Sequence, residues 1–496
     1  MKKFSIRVTR GLQGNCIAKG RWIVMFVIYA LSAGAQSEEP TFEFAKVTGS
    51  LEFTYVTEVA VDEFGNIFDA GTFYDLVDLD PGPGTAHVQQ TSNNFFVRKL
   101  DTEGNFLWAK TFSATKITPV DIKTAPDGGI YVIGRFEGAV DFDPGEGQSA
   151  FTSQGDNDAF LLKLGSSGKF DWVRVLSNAR RVSLYSLALD GSGNPHIGGS
   201  ASGLVTIDTG SGSTTFTTNG YGFLVAKFQA NGNFKWARTF GHLRRSSYAQ
   251  DITVDFDGNV ITVAEVAYRV DLDPGPEVFL FDGSRSDWTH VVHKLDEFGN
   301  FLWARELRAE KSDFTAVAVD SSGGIVTTGY FRGIVDFDPG PGVFELDGGS
   351  GAGAFIWKLD ASGGFSWVRS FSGRGSSYMW DIGIDEHGDV YTLARFGVEV
   401  DLDPGLGEDI VDQDRSYHAF IHSLDENGNY NWALGFGSRN AGLRGYSMAF
   451  SSVGDIVVTG TYTDNPDMDP GPAEYILPTP IDRSDAFLVK FVQPER

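Results

Sequence analysis

The sequence predicts an all-β fold in which one four-stranded unit is repeated around a ring. Three observations predict it. Trp108, Trp172, Trp236, Trp303, Trp367 and Trp432 follow one another at intervals of 64, 64, 67, 64 and 65 residues, each in a variant of Gly-Asn-Phe-Leu-Trp-Ala-Lys-Thr-Phe, the version at 104–112. A fixed period of this kind marks a repeat architecture. Glycine turns recur at Gly65, Gly128, Gly193, Gly258, Gly323, Gly388 and Gly454, between short apolar segments, and no segment after residue 40 keeps a 3.6-residue apolar period. The two ends of the chain also complement each other. Phe42-Glu43-Phe44-Ala45-Lys46-Val47 has the pattern of the Trp-bearing strand, and Asp485 to Phe491 has the pattern of the strand that precedes it. Four-stranded units, seven in all, closed by pairing of the N-terminal strand with the C-terminal unit, make a seven-bladed β-propeller with four antiparallel strands per blade. Closure removes the open edges that a linear stack would expose.

The elements follow in order. Lys2, Lys3, Arg7, Arg10, Lys19 and Arg21 precede an apolar run, Trp22 to Leu31, and Ala33-Gly34-Ala35 offers a small-x-small cleavage pattern. Residues 1–35 thus read as a secretory signal peptide, since the run falls short of the ~20 residues that span a bilayer. Residues 36–496 are the propeller. The fifth repeat serves as the template: strand A from Phe314 to Asp320, a turn at Ser321-Ser322-Gly323-Gly324, strand B from Ile325 to Phe331, a long segment with Asp336-Phe337-Asp338-Pro339-Gly340, strand C from Ala354 to Leu359, a turn at Asp360 to Gly363, and strand D from Gly364 to Phe371. Both turns have the Asp/Ser/Gly chemistry of tight hairpins.

Composition narrows the function. The formal charge of −25, with 65 acidic against 40 basic residues, leaves no basic surface for a nucleic-acid backbone. Cleavage after Ala35 removes six basic and no acidic residues and takes the charge to −31. The single cysteine, Cys16, lies in the signal, so neither a disulfide framework nor a Cys-based zinc site is expected. No membrane span is expected once the signal is removed, and the mature chain is expected to be a monomer.

The stretches Asp158-Ala159-Phe160-Leu161-Leu162-Lys163-Leu164, the hairpin that follows to Trp172, and Val319 to Tyr330 carry a pattern that resembles the bacterial SBBP-type β-propeller repeats. The resemblance covers nearly all of 42–491. It implies an exported protein, periplasmic, cell-surface or extracellular in a bacterium, and it implies no single shared activity. The acidic Asp-Pro-Gly segment between strands B and C departs from that pattern.

Several columns carry chemistry. The Trp column is expected to pack between adjacent blades. Three residues before the last apolar position of strand A stand Glu58, Asp121, Ser186, Asp251, Ala316, Asp381 and Ser447. Symmetry puts them at one level, so Glu58, Asp121, Asp251 and Asp381 are candidate ligand-binding residues in an acidic ring at one channel mouth; solvated strand ends or turn caps are the plainer reading. Strand C carries Lys99, Lys163, Lys227, Lys294, Lys358 and Lys490, with Ser423 the exception. Strand D carries Lys46, Lys110, Arg174, Arg238, Arg305 and Arg369, with Leu434 the exception. Both exceptions fall in the sixth repeat.

Six acidic pairs are the expected counter-ions of these columns: Asp78 and Asp80, Asp141 and Asp143, Asp271 and Asp273, Asp336 and Asp338, Asp401 and Asp403, Asp467 and Asp469. Residues two apart on a strand point the same way, so each pair is also a candidate Ca²⁺ site. No cofactor is required. Ca²⁺ needs six to eight oxygens, and the motif has glycine where an acidic calcium loop supplies another ligand, so an ordinary Pro-Gly turn competes with the metal reading.

Catalytic motifs are absent from the sequence, and the eight histidines do not follow the repeat. His418 and His422, beside Tyr417, are a candidate binding pair. The leading expectation is an exported, non-catalytic binding or scaffold module for an unknown protein or polysaccharide. The alternative is a carbohydrate-active enzyme, a polysaccharide lyase or glycoside hydrolase, with its site at one mouth of the channel. The departures from the repeat discriminate between them: Asp208 to Gly212, Arg244-Arg245, the pair His418 and His422, and Arg439 to Arg444.

Overall fold

The computed structural model describes residues 38–494, apart from 50–53, 179, 243–245, 267–268, 283–288, 308–310, 350, 412–418, 438–441 and 481–483. The predicted signal, Cys16, Arg244, Arg245, Tyr417, His418 and Arg439 lie outside the described residues. Among the described residues there are strands and turns and no helix, hence no helix long and apolar enough to cross a membrane.

The strands pair in antiparallel sets of four, in chain order from A to D. In the fifth repeat these are Lys311–Val319, Ile325–Arg332, Gly353–Leu359 and Phe365–Phe371, within three residues of the sequence reading at every boundary. The last set completes itself from the far end of the chain. Thr41–Thr48 pairs antiparallel with Asp485–Val492, in a sheet with Ile456–Tyr462 and Arg444–Phe450. The second and third sets merge into one eight-stranded sheet, because strand Pro195–Asp208 is long enough for Val205 to Ile207 to pair with Leu176 to Asn178.

The apolar core is divided into slices that lie between neighbouring sets. Phe68, Phe95 and Phe112 of repeat 1 pack with Ile122, Phe136 and Phe160 of repeat 2, and the later repeats follow suit. Val59 and Leu100 of repeat 1 pack with Val457 and Leu488 of the last. The A strands of successive sets touch in turn, and Arg444–Phe450 touches Thr54–Val61.

At the outer end of every boundary but that between the sixth repeat and the last, the C–D turn of one repeat is a socket for the repeat before it. The indole N–H of Trp108, Trp172, Trp236 and Trp367 donates to the carbonyls of Ser166, Ala230, Glu297 and Glu426, at 3.0–3.2 Å. Arg174, Arg238, Arg305 and Arg369 lie over the Trp rings and donate from Nε to the carbonyls of Gly232, Gly299, Gly363 and Gly428. The same turn glycines have positive φ and sit against the indole; a Cβ at Gly232 would lie 2.8 Å from the Trp172 ring. Gly104 meets Phe44 in the same way, so the N-terminal strand fills the Trp position for repeat 1.

The lysine column corrects the expected counter-ions. Lys99, Lys227, Lys294 and Lys358 pair with Asp62, Asp190, Asp255 and Asp320 of the A–B turns, at 2.8–3.2 Å, and not with the Asp-x-Asp pairs. The arginine column takes carbonyls rather than carboxylates. The reason is reach: both columns end at the turn end of the sheet, where A–B and C–D turns meet. The carboxylates expected there instead fold their own hairpins. Asp80, Asp143, Asp273, Asp403 and Asp469 each accept from the N–H of the glycine two residues on, namely Gly82, Gly145, Gly275, Gly405 and Gly471, at 2.7–2.8 Å.

Lys294, Lys358 and Lys490 also donate to the next C–D turn, at Ala361, Glu426 and Thr102. Ser423 and Leu434, the two exceptions, stand at the boundary with the last set, whose fourth strand comes from the N-terminal end of the chain. The Trp432 indole N–H is buried without a partner at that boundary.

Candidate functional site at the inner strands

Each A strand is the inner edge of its set, and an edge leaves backbone N–H groups without a ladder partner. The acidic column answers this. Every A strand carries a bulge just before the column residue, between Val56 and Glu58, Pro119 and Asp121, Leu184 and Ser186, Ala249 and Asp251, Phe314 and Ala316, Met379 and Asp381, and Gly445 and Ser447. A bulge re-aims the residue that follows it. Here that residue turns to the next set. Asp121 accepts from the N–H of Leu187, Asp251 from Val317 and Asp381 from Met448, each at 2.7 Å. Ser186 accepts from Ile252 at 3.1 Å, and Ser447 accepts from Val59 at 3.4 Å, linking the last repeat to the first.

The predicted ring residues are therefore brought together at one level, with Lys123 among them, 2.9 Å from Asp121. Burial, then the Asp121 charge, holds Glu58 well above the usual carboxylate range. Burial pushes Asp251 up to about 6 and raises Asp381. Burial works against the Lys123 ammonium, but Asp121, then Glu58, outweigh it and raise it.

His422 does not face this ring. It is buried on strand C, with Nε2 2.9 Å from the carbonyl of Leu402, and burial lowers it to about 4. His293 does the same with Leu272, at 2.8 Å, and Arg98 occupies the same column in repeat 1 against Leu79. These carbonyls belong to the middle residue of each Asp-x-Asp. That residue is buried in all six motifs: Leu79, Phe142, Leu272, Phe337, Leu402 and Met468.

The candidate metal residues have backbone partners in every motif. The first Asp caps two N–H groups; Asp336 takes those of Asp338 and Phe344, at 3.0 and 2.8 Å. Asp78, Asp141, Asp271, Asp401 and Asp467 do the same in their own hairpins. The second Asp caps the turn glycine, Asp338 taking that of Gly340 at 2.7 Å as Asp80, Asp143, Asp273, Asp403 and Asp469 take theirs. Backbone donors thus compete for the oxygens that a Ca²⁺ shared by each candidate pair would use. Among the described residues no group of three or more His, Cys, Asp or Glu is arranged to hold a metal ion.

The sequence reading passed over a second level, three residues before the acidic column. At that level stand Tyr55, Thr118, Ser183, Tyr248, Asp313, Tyr378 and Arg444. Their strand-B partners are Thr72, Arg135, Ser200, Glu265, Tyr330, Arg395 and Thr461. The signal available in the sequence was the recurrence of tyrosine at this position, at Tyr55, Tyr248 and Tyr378.

Two clusters stand out at this level. Between repeats 4 and 5, Asp313 lies 3.2 Å from His290 Nε2 and accepts from Gln250 Nε2 at 2.6 Å and Tyr330 Oη at 3.2 Å. Burial opposes the Asp313 charge, but His290 and these donors outweigh it and lower the carboxyl. Glu265, paired with His290 across the sheet, is raised by burial. Tyr185 and Tyr248 meet edge to face at 6.2 Å, and Tyr330 and Tyr378 at 5.7 Å. Across repeats 6, 7 and 1, a cavity of about 400 Å³ is lined by Tyr55, Arg395, Arg444, Tyr446, Thr461 and Thr463, among others. Of the other departures from the repeat, Asp208 starts a hairpin with Ser213 far along strand B, away from this level.

No protein-family model matches the chain. An uncharacterized WD repeat-containing protein of Acanthamoeba polyphaga mimivirus is 22% identical over 267 residues, which is 47% of this chain and 19% of that protein; the match thus spans about a fifth of the relative's length. Among solved structures, a β-propeller domain of Myceliophteria thermophila aligns at 8% identity and a TM-score of 0.34, over 75% of this chain and 95% of that one. An ulvan lyase of a polysaccharide lyase family aligns at 10% identity and a TM-score of 0.37, over 85% and 93%. Sets of four antiparallel strands, packed side by side through their faces with their A strands in sequence, make this an all-β repeat protein of β-propeller type.

Proposed function

We propose that the chain is a closed seven-bladed β-propeller of an exported protein, acting as a binding module for a polysaccharide at the channel mouth where the A strands begin. Closure is supported by the pairing of Thr41–Thr48 with Asp485–Val492 and by the Ser447 to Val59 hydrogen bond. Export is supported by the sequence of residues 1–35 and by the SBBP-like repeat.

One observation carries the binding role: three of the seven residues at this level, Tyr55, Tyr248 and Tyr378, are tyrosines, and Tyr330 lies opposite Asp313 at the same level on strand B. The other four, Thr118, Ser183, Asp313 and Arg444, carry polar groups, so the level offers aromatic and polar contacts together. Tyrosines with partly exposed faces, Tyr55 at 39% and Tyr378 at 38%, suit the flat faces of sugar rings.

The second reading is carbohydrate-active catalysis at the same mouth. The contact of His290, Asp313 and Tyr330 favours it, because it joins groups able to move a proton from two different repeats. Screening the purified protein against a panel of polysaccharides, scoring retention and product release separately, tests both. Retention without product supports the binding module. Product release that is lost in His290→Gln supports the enzyme, and retention of no polysaccharide overturns both.

A further inference from the structure

We infer that the cavity across repeats 6, 7 and 1 binds the acidic group of an anionic saccharide, a carboxylate or a sulfate, through Arg444 and Arg395; the inference rests on the proposed polysaccharide-binding role of this mouth. The chain carries a net charge of −25, so acids outnumber cations in the sequence as a whole. The lining of this cavity is weighted the other way. It holds two guanidinium groups, and no Asp or Glu is among its described lining residues. The contrast with the cavity of about 280 Å³ between repeats 2 and 3 is direct. That one holds Lys116, Arg135 and Arg181, and Glu137 and Asp156 line it beside them.

The strand register places both arginines. Arg444 stands opposite Thr461 on the A–B ladder of repeat 7, and Arg395 opposite Tyr378 on that of repeat 6. The Tyr446 hydroxyl is held 2.9 Å from Thr461 Oγ1. Guanidinium groups present paired N–H donors that match a carboxylate or sulfate in a plane. Hydroxyls of Thr461 and Thr463 and the ring of Tyr55 add the polar and aromatic contacts that a sugar takes and a bare anion does not need. The tyrosines of the neighbouring repeats, Tyr378 and Tyr330, continue the aromatic surface beyond the cavity, which suits a polymer more than a small ion.

The test uses the full mature chain and three polysaccharides: a polyuronate, a sulfated galactan and a neutral glucan. Affinity is read by retardation in gels containing each polymer. The expected result is retardation by the polyuronate, the sulfated galactan or both, and little by the glucan. Arg444→Gln is expected to weaken that binding by at least about tenfold with an unchanged melting midpoint, since Arg444 is exposed. Arg395→Gln serves as the second variant if the first does not fold. Preference between the two acidic polymers identifies the source of the charge. Equal retardation by the glucan, or acidic binding unchanged in both variants, overturns the anionic assignment and leaves the binding role of the mouth standing. Retardation by none of the three overturns both.

Discussion

At the scale of the residue, the inner carboxylates hold the ring together at the expense of their own ionisation. Asp251 is the best case. Its carboxylate bonds Ser186 and the N–H of Val317, yet burial places it at about 6. A carboxyl raised in the folded state gives stability that is full below its unfolded value, near 3.8, and lost as pH rises through about 6. His196, His293 and His422, each lowered to about 4, act in the opposite sense over much of the same range: stability present above about 6.5 is lost as pH falls towards 4. The wild-type curve alone therefore mixes acid and imidazoles. The difference between wild type and Asp251→Asn isolates the acid: wild type is expected to gain in melting midpoint relative to the variant as pH falls from 7 to 4.5. A difference that stays flat with pH would refute the assignment.

Arg98 and Asp69 make a second residue-scale case. Both are buried, Arg98 bonds Asp69 through Nε and Nη2, and its Nη1 reaches Thr48 on the N-terminal strand at 2.7 Å. Removing one partner of a buried pair leaves a stranded charge, so Asp69→Ala is expected to destabilise by about 3–5 kcal/mol in denaturant titration. This pair was not legible in the sequence. Asp69 and Arg98 occur in one repeat only, and the strand alternation assigns no partner to either.

At the scale of the element, the four strands of each repeat could be read closely from alternation and turns. The role of the Asp-x-Asp-Pro-Gly segment could not, because its function depends on which atoms its oxygens meet. Each motif is a peg. The middle residue is driven into the core, and the flanking carboxylates fold the hairpin back over it by capping N–H groups. Asp336→Ala removes both caps and is expected to destabilise by about 1–2 kcal/mol, whereas Asp336→Asn, which keeps an acceptor oxygen, is expected to lose less than half of that. With one oxygen of each carboxylate already committed to backbone, melting in Ca²⁺ and in chelator is expected to give coincident midpoints; a rise with Ca²⁺ would instead assign a metal to the pairs.

At the scale of the whole molecule, the repeat spacing and the complementary ends were in the sequence, because both can be counted along the chain. The specialised mouth was not, because its members share no motif and meet only when the A strands are set side by side. Under the closure proposed above, removal of residues up to Thr48 strips the fourth strand from the last set and bares the edge of Asp485–Val492. Aggregation of that truncated chain, or a large loss of melting midpoint, is the expected outcome. A truncated chain as stable and monomeric as the mature one would refute closure.

The C–D socket has a consequence for how pieces of this protein recognise one another. Trp and Arg reach forward to the next turn, and the inner carboxylates accept from the next strand. Each such boundary is thus polar, with a plug on one side and a receptacle on the other. Two fragments cut between repeats joined in this way carry one of each at opposite ends, so they can rejoin in a single order and a single orientation. The order of assembly is written into each such joint, whatever its place along the chain.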